Sequence, residues 1–325
     1  MDVLSDVLQL IRLEGALFFN AECHEPWCVE VPKGSEVAQV LRPGAENLAI
    51  CHVILEGHCW VQRPETEAVP VEAGDVVVLP HGDSHIIGSG LHRAPVNIDH
   101  LIKVKIPELK PIRYGGQGDR AVVVCGWLAY ERDVPNPLVG ALPPLFRSPL
   151  GQRSSGHWIE QSIRYAVLAS ALRQPGSSAV AAKVAESVFV EALRGYIESL
   201  SPLQTGWLSG LRDFQVSRCL DLLHSDPARS WSIKELAQEV HVSRSVLTKR
   251  FSDLVGMPPM QYLKRWRLAL AARLLCNERR SLIRITEAIG YESEASFSRA
   301  FRKEYGVSPG RWRRGSAAPK AAALE

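Results

Sequence analysis

The side chains best suited to chemistry fall into two sets. In the C-terminal third, Arg244, Ser245, Thr248 and Lys249 lie within one short stretch, and Ala295, Ser298, Arg299 and Arg302 lie within another. Arg and Lys can reach guanine edges or phosphates, and Ser and Thr can reach either, so such faces read as DNA contacts. The second set is thiols. Five of the seven cysteines, Cys23, Cys28, Cys51, Cys59 and Cys125, lie in the N-terminal part, and only Cys219 and Cys276 lie beyond it. In a reducing compartment these point to metal binding, redox chemistry or packing rather than to a disulfide framework. Cys23-His24-x-x-x-Cys28 has the spacing of half a metal site but lacks a second pair.

Charge separates the same two regions. The net charge of +3 conceals a balance of −6 over residues 1–210 and +9 over residues 211–315. Phosphate neutralisation dominates nucleic-acid affinity, so the basic third is where DNA contacts are expected. A chain of 325 residues holds two or three domains. No run of 18 apolar residues exists, so no membrane span is expected. Met1–Ile11 carries Asp2 and Asp6 and no basic n-region, which reads as a cytoplasmic protein without a secretory signal. Ala321–Glu325 resembles a vector-derived tail and is left out of fold reasoning.

The elements that must position these residues follow from periodicity. Residues 30–128 read as β, with runs at Ala49–Leu55, His58–Gln62, Asp75–Pro80 and Ala121–Leu128. Glu56-Gly57 and Ala73-Gly74-Asp75 mark turns, and the short spacing suggests a small antiparallel barrel or sandwich. Asn136–Gly156 is rich in Pro, Gly and Ser and reads as a connection. His157–Leu172 and Ser178–Leu200 read as helices, the second with Val180, Val184, Val188, Phe189, Ala192, Leu193 and Ile197 on one face. Ser201–Gly210 is a second connection, and Leu211–Trp312 reads as helical throughout.

That helical segment contains a repeat at an offset of 50 residues. Leu247 matches Phe297, Lys249 Arg299, Phe251 Phe301, Gly256 Gly306, Pro259 Pro309 and Tyr262 Trp312. Each copy has helix-turn-helix logic. In the first, Ile233, Leu236, Ala237 and Val240 are apolar, Ser232 and Glu235 have capping-box spacing, and Ser243 caps the next helix. Either Val246 or Leu247 faces inward there, with Phe251. In the second, Ile285, Ala288 and Ile289 are apolar, Gly290 permits a sharp turn, Ser293 caps, and Phe297 and Phe301 face inward. Burial of these residues turns the basic and hydroxyl set outward. Pro259–Asn277 joins the copies and spans about 25–30 Å as a helix. It could hold two recognition helices about 34 Å apart, one turn of B-DNA, so two successive major grooves are the expected target.

The segment resembles the DNA-binding domain of the AraC/XylS family of bacterial regulators. The resemblance rests on Gly290-Tyr291-x-Ser293, Ser296-Phe297-x-Arg299-x-Phe301 and Gly306-x-Ser308-Pro309-x-x-Trp312-Arg313. Leu236-Ala237, Val242-Ser243-Arg244-Ser245, Phe251, Gly256, Pro259 and Tyr262-Leu263 extend it to about 100 residues. It implies that Ser245, Thr248 and Lys249, then Ala295, Ser298 and Arg299, lie nearest the bases. One departure is Thr286, which puts a hydroxyl where the family has a small residue.

The β-rich half resembles the cupin-type sensor domain found in a subgroup of that family. The carrying segments are Pro26-Trp27, His52-Val53-x-Leu55-x-Gly57, Gly74-Asp75-Val76-Val77-Val78-Leu79-Pro80-His81-Gly82-Asp83-x-His85, Val124-Cys125-Gly126 and Pro143-Pro144. The resemblance implies control by an effector in the barrel and dimerisation through the following helices, with Ser178–Leu200 the candidate dimer helix. The alternative is that its apolar face packs on its own barrel. Metal-binding cupin enzymes carry His-x-His, which this chain lacks because residue 54 is Ile. Cys23, His52, His85 and Cys125 form a different set, suited to zinc or to redox chemistry. Cys23 is read as preceding the first strand. The competing reading makes Cys125 a core residue and His85 a turn residue. Strand alternation allows only one of Cys51 and His52 to face the barrel interior.

The expected fold class is α+β multidomain: a cupin-like β-barrel, a helical linker that dimerises, and an all-α domain with two helix-turn-helix units. The expected divisions are residues 1–145, 146–210 and 211–315, with a tail at 316–325. The expected function is sequence-specific transcription regulation without enzymatic activity, responding to a metal, an oxidant or a small molecule. The expected partners are double-stranded DNA, a second copy of the chain and RNA polymerase, with no membrane. The alternative is a cupin metalloenzyme tethered to a DNA-binding module.

Overall fold

The computed structural model describes residues 2–11, 13–42, 45, 47–90, 94–98, 109, 111–130, 137–201, 204–277 and 280–317. The tail Ala321–Glu325 lies outside these residues. The chain forms two compact units: Leu13–Glu131 with Leu142–Ser199, and Met1–Arg12 with Arg132–Ala141 and Leu200–Glu325. Residues 2–11 and 137–141, placed with the barrel by the linear reading, therefore cluster with the C-terminal helices.

The first unit is two β-sheets facing one another. Strands β1 (Glu14–His24), β3 (Leu48–Glu56), β6 (Asp75–Leu79), β9 (Ile112–Gly115), β10 (Arg120–Ala129) and β11 (Phe146–Pro149) form one sheet in the order β11-β6-β3-β10-β1-β9. Strands β2 (Trp27–Val31), β4 (His58–Gln62), β5 (Val69–Glu72), β7 (His85–Ser89) and β8 (Val96–Asn97) form the other in the order β5-β4-β7-β2-β8. Alternation assigns the inner face. Phe19, Ala21 and Cys23 of β1, Ile50 and Ile54 of β3, Val123, Cys125 and Trp127 of β10, and Trp27, Val29 and Val31 of β2 share one core.

Two expectations are corrected here. Cys23 lies inside β1, not ahead of the first strand. The 30–128 segment also holds a helix, α2 (Gly34–Leu41), so its β character is interrupted.

The outer face of the six-stranded sheet is covered by α5 (Ser177–Ser199), which packs on β1, β6, β10 and β11, while α4 (Gly156–Ala171) packs on α5. This is why β3 and β10 are buried on both faces and read as nearly continuous apolar runs. It also decides between the two readings of Ser178–Leu200. Val188, Phe189, Ala192, Leu193 and Ile197 are buried within this unit, so that face is not free to pair with a second copy.

The second unit is helical. Its first element is α1 (Val3–Leu10), capped by Asp2, whose Oδ1 accepts from Ser5 N at 2.9 Å. Val3, Val7 and Leu10 are buried, and α1 packs against α7 (Phe214–Ser225). The short helices α3 (Pro137–Ala141) and α6 (Trp207–Gly210) belong to the same unit. The repeat follows as α8 (Ile233–Glu239) with α9 (Arg244–Val255), and α11 (Leu282–Ala288) with α12 (Glu294–Tyr305). Helix α10 (Pro259–Asn277) joins them and α13 (Pro309–Ala317) ends them. The Ser232–Glu235 capping box forms as expected. The inward set of α11 differs: Ala288 is exposed, and Thr286 joins Ile285 and Ile289 in the core. Its hydroxyl donates to Leu282 O at 2.8 Å, which removes the cost of burying it.

Candidate DNA interface and barrel centre

Recognition helices α9 and α12 are set identically. Ser243 Oγ accepts from Val246 N at 3.3 Å, and Ser293 Oγ accepts from Ser296 N at 3.2 Å. Each helix ends on a left-handed glycine, Gly256 or Gly306. Leu247, Phe251, Phe297 and Phe301 are fully buried. Arg244, Ser245, Lys249, Ala295, Arg299 and Arg302 are therefore exposed, with Thr248 and Ser298 half-buried at the edges of the same faces. Leu247 is the inward residue of the Val246/Leu247 pair, and Val246 is exposed. One acidic group intrudes: Asp253 Oδ2 lies 2.6 Å from Lys249 Nζ and pairs with its charge.

Between the two helix-turn-helix copies of the helical unit runs a strut that the sequence reading missed. Arg267 of α10 donates to Pro227 O (2.6 Å) and Arg229 O (2.8 Å) before α8, and to Gly290 O (3.2 Å) in the second turn. One guanidinium thus ties the entry of the first helix-turn-helix to the turn of the second.

In the barrel, β3 and β10 pair antiparallel with His52 opposite Cys125. His52 Nδ1 lies 2.9 Å from Cys125 Sγ, and His52 Nε2 lies 2.6 Å from His85 Nε2. His85 comes from β7 in the other sheet, and its Nδ1 lies 3.0 Å from Asp83 O. Only one proton order satisfies all four groups. The carbonyl can only accept, so His85 Nδ1 donates to it and His85 Nε2 accepts from His52. His52 Nδ1 then accepts from the Cys125 thiol. Cys23 pairs with Ala121, four positions along β10 from Cys125, about 13 Å of strand. It lines the same cavity without meeting the two histidines. The four-residue set thus yields three residues in contact and one apart. Cys51 faces away from this core, as alternation required.

A cupin family model matches residues 2–198, and a helix-turn-helix domain model matches residues 236–315. An AraC-like transcription regulator of Streptomyces antibioticus is 31% identical over 97% of this chain and 99% of its own. The chain belongs to the AraC-like transcription regulators. The activator RclR of Escherichia coli, described as RCS-specific, is 25% identical over 96% of this chain and 97% of its own. Among solved structures, the DNA-binding domain of AdpA in complex with a target DNA is 25% identical, covering 34% of this chain and 99% of that one, at a TM-score of 0.32.

In this AraC-like regulator the barrel centre is electrically neutral. Burial, then the neighbouring His85, holds His52 well below the usual histidine range, and burial lowers His85 to about 4. Burial also pushes the Cys23, Cys51 and Cys59 thiols up to about 12, and holds Cys125 well above the usual thiol range. None of the seven cysteines is in a disulfide. Free space at the centre is about 20 Å³, lined by Cys23, His52 and Cys125 among apolar side chains. That is room for one water-sized particle. No helix among the described residues is long and apolar enough to cross a membrane.

Proposed function

We propose that this AraC-like regulator binds its operator through α9 and α12 in two successive major grooves and is controlled by a single metal ion of the zinc class at the barrel centre. The observation that carries the sensing half is the meeting of His52 and His85 Nε2 atoms across the two sheets, beside a space of about 20 Å³ that His52, Cys125 and Cys23 line. A space of that size takes a monatomic effector and excludes an organic molecule. The residues fit such an ion. Asp83 O holds the His85 ring by Nδ1 and keeps the Nε2 lone pair, which accepts from His52 here, as the atom for an ion, the usual way an outer carbonyl orients a ligating histidine. His52 and His85 would hold the ion. Cys125 would tune His52 through Nδ1, and Cys23 stands by on the cavity wall. When bound, the ion supplies a cross-link between the two sheets. The oxidant reading has less support, because thiolate is the reactive form and burial keeps these thiols protonated.

The DNA half is supported by the basic, hydroxyl-bearing outer faces of both recognition helices. Helix α10, with 19 residues, spans about 28 Å between them. We place the homodimer contact on α4 rather than α5. Trp158, Tyr165 and Leu172 recur at sevens along α4 and its cap, and with Leu168 they are 56–61% exposed. An antiparallel pairing about Tyr165 would match Trp158 of one copy with Leu172 of the other, the self-complementarity that a two-fold interface requires.

The deciding experiment is metal content and thiol accessibility of protein purified without oxygen or chelator. One zinc fewer per chain in His52→Ala and His85→Ala than in wild type, and zinc-dependent operator affinity, are expected. Full metal content in both variants, or operator binding indifferent to zinc removal, would overturn the sensing half and leave the DNA half standing.

A further inference from the structure

The structure assigns a second metal site, at the rim of the barrel, to Glu25, His58 and Asp119, and we propose a zinc-class divalent ion as its ligand. It is independent of the barrel centre and shares no residue with it. The three residues come from three segments: the β1–β2 turn, the first position of β4 and the turn before β10. One ligand atom from each lies within 4.8 Å of the other two, and among the described residues no other trio of His, Cys, Asp or Glu does this.

The backbone holds two of the three donors in register. Glu25 N donates to Asp119 O at 3.0 Å, Gly118 N donates to Glu25 O at 2.8 Å, and Gly116 N donates to His24 O at 2.7 Å. A Cβ at Gly116 would lie 2.4 Å from Glu25 O, so that approach requires glycine. The nearby cations are engaged elsewhere. Arg120 pairs with Glu22 and Glu56, and Arg113 pairs with Glu22. Among the described residues no Lys or Arg pairs with Glu25 or Asp119. Two carboxylates and one imidazole with open positions suit a borderline divalent ion, whereas thiolate-seeking ions would prefer the buried cysteines.

Each ligand stands beside the inner core. Glu25 lies two positions from both Cys23 and Trp27, and His58 precedes Cys59. An ion here would clamp three wall segments together. Its consequence is mechanical: a stiffer barrel wall without a ligand inside.

The test uses full-length protein stripped of metal and titrated with cobalt(II) and zinc(II) in wild type, Glu25→Gln, His58→Ala, Asp119→Asn and His52→Ala. Wild type should take up cobalt with a nitrogen–oxygen ligand field and no thiolate charge-transfer band. His58→Ala and Asp119→Asn should each weaken that uptake by more than about tenfold, while His52→Ala should keep it. Equal thermal midpoints of the metal-free proteins would confirm that all are folded, and Glu25→Gln serves if one is not. Unchanged uptake in the three rim variants, or a thiolate band in place of the nitrogen–oxygen spectrum, would overturn the rim site. Loss of uptake in His52→Ala alone would credit the barrel centre instead.

Discussion

Arg299 sits on the exposed side of α12, one turn beyond Ala295, with no acidic residue paired to it among the described contacts, whereas Lys249 at the matching position of α9 is held by Asp253. The outer faces of α9 and α12 therefore differ in how their matching basic residues are paired. Arg299→Ala should weaken specific operator binding by about 1–3 kcal/mol with little effect on non-specific binding, if it reads a base edge. Competition titrations with operator and random duplex separate the two. Equal losses on both would assign Arg299 to phosphate. At the barrel centre, proton order makes a further residue-level distinction. His85 has its Nδ1 fixed by a carbonyl, while His52 has its Nδ1 fixed only by a thiol, so His52 is the ring free to change its protonation pattern.

At the scale of elements, the left-handed glycines of the helical repeat are not equivalent: Gly256 caps α9, and Gly290 lies in the turn between α11 and α12. Gly256 and Gly290 both have positive φ, near +79 and +72. A Cβ at Gly256 meets open space, but one at Gly290 would lie 2.3 Å from Ala228 O, beside the carbonyls that Arg267 gathers. Gly256→Ala should therefore cost about 1–2 kcal/mol of unfolding free energy, the left-handed penalty alone. Gly290→Ala should cost more and weaken two-groove DNA binding as well, because it displaces one helix-turn-helix against the other. Chemical denaturation and operator titration of the two variants would show whether the costs differ. Helix α4 supports a second prediction. Its stripe of Trp158, Tyr165, Leu168 and Leu172 is more than half exposed and lies on one side of the helix rather than scattered. Tyr165→Glu, at the centre of the stripe, should shift the protein from dimer to monomer in sedimentation while leaving its thermal midpoint within a few degrees. A dimer that survives this change would place the contact elsewhere.

The molecule as a whole carries buried neutral histidines in both units. His85 is lowered to about 4 and His224 to about 3, both chiefly by burial. His224 Nε2 lies 2.8 Å from Tyr262 OH and its Nδ1 lies 3.5 Å from Asp6, a contact that would favour the charged ring. Burial wins, since the His224 side chain is only 1% exposed and stacks on Trp266 at 3.8 Å. The unfolded chain takes up protons near pH 6.5 and the folded rings do not. Stability is thus fully present above about 6.5 and is lost as pH falls toward 4 for His85 and 3 for His224. At pH 5 the loss is about 2 kcal/mol for each ring. Asp6, raised by burial, acts in the opposite sense, but only near the lower end of that range. Denaturation of His224→Gln between pH 7 and 5 should show a smaller loss than wild type, by about that amount. An equal loss would mean that His224 is charged in the folded protein.

The repeat, the capped recognition helices and their outward residues were legible in the sequence because each depends on local spacing. Ser243 and Ser293 cap the helices they begin, and Leu247, Phe251, Phe297 and Phe301 mark the buried side by helical period alone. Strand alternation likewise put Cys51 and His52 on opposite faces, and the structure turns His52 inward. The remaining features depend on which segments meet, and no local pattern encodes that. The 11-residue strand β1 was missed because its polar residues, Glu14, Asn20 and Glu22, interrupt the apolar run. The apolar face of Ser178–Leu200 suited a dimer contact or its own barrel equally, and only the packing of α5 on the outer face of the six-stranded sheet chooses between them. Cys23 belonged with His52, His85 and Cys125 by residue type, but strand register set it four positions away. Arg267, Asp83 and the trio of Glu25, His58 and Asp119 gave no signal, since their partners lie tens of residues distant or are backbone carbonyls. Sequence determined the faces of individual elements, which follow from the periods of helix and strand. Tertiary structure decided which faces remain open and which donor atoms converge, because both depend on long-range register and packing.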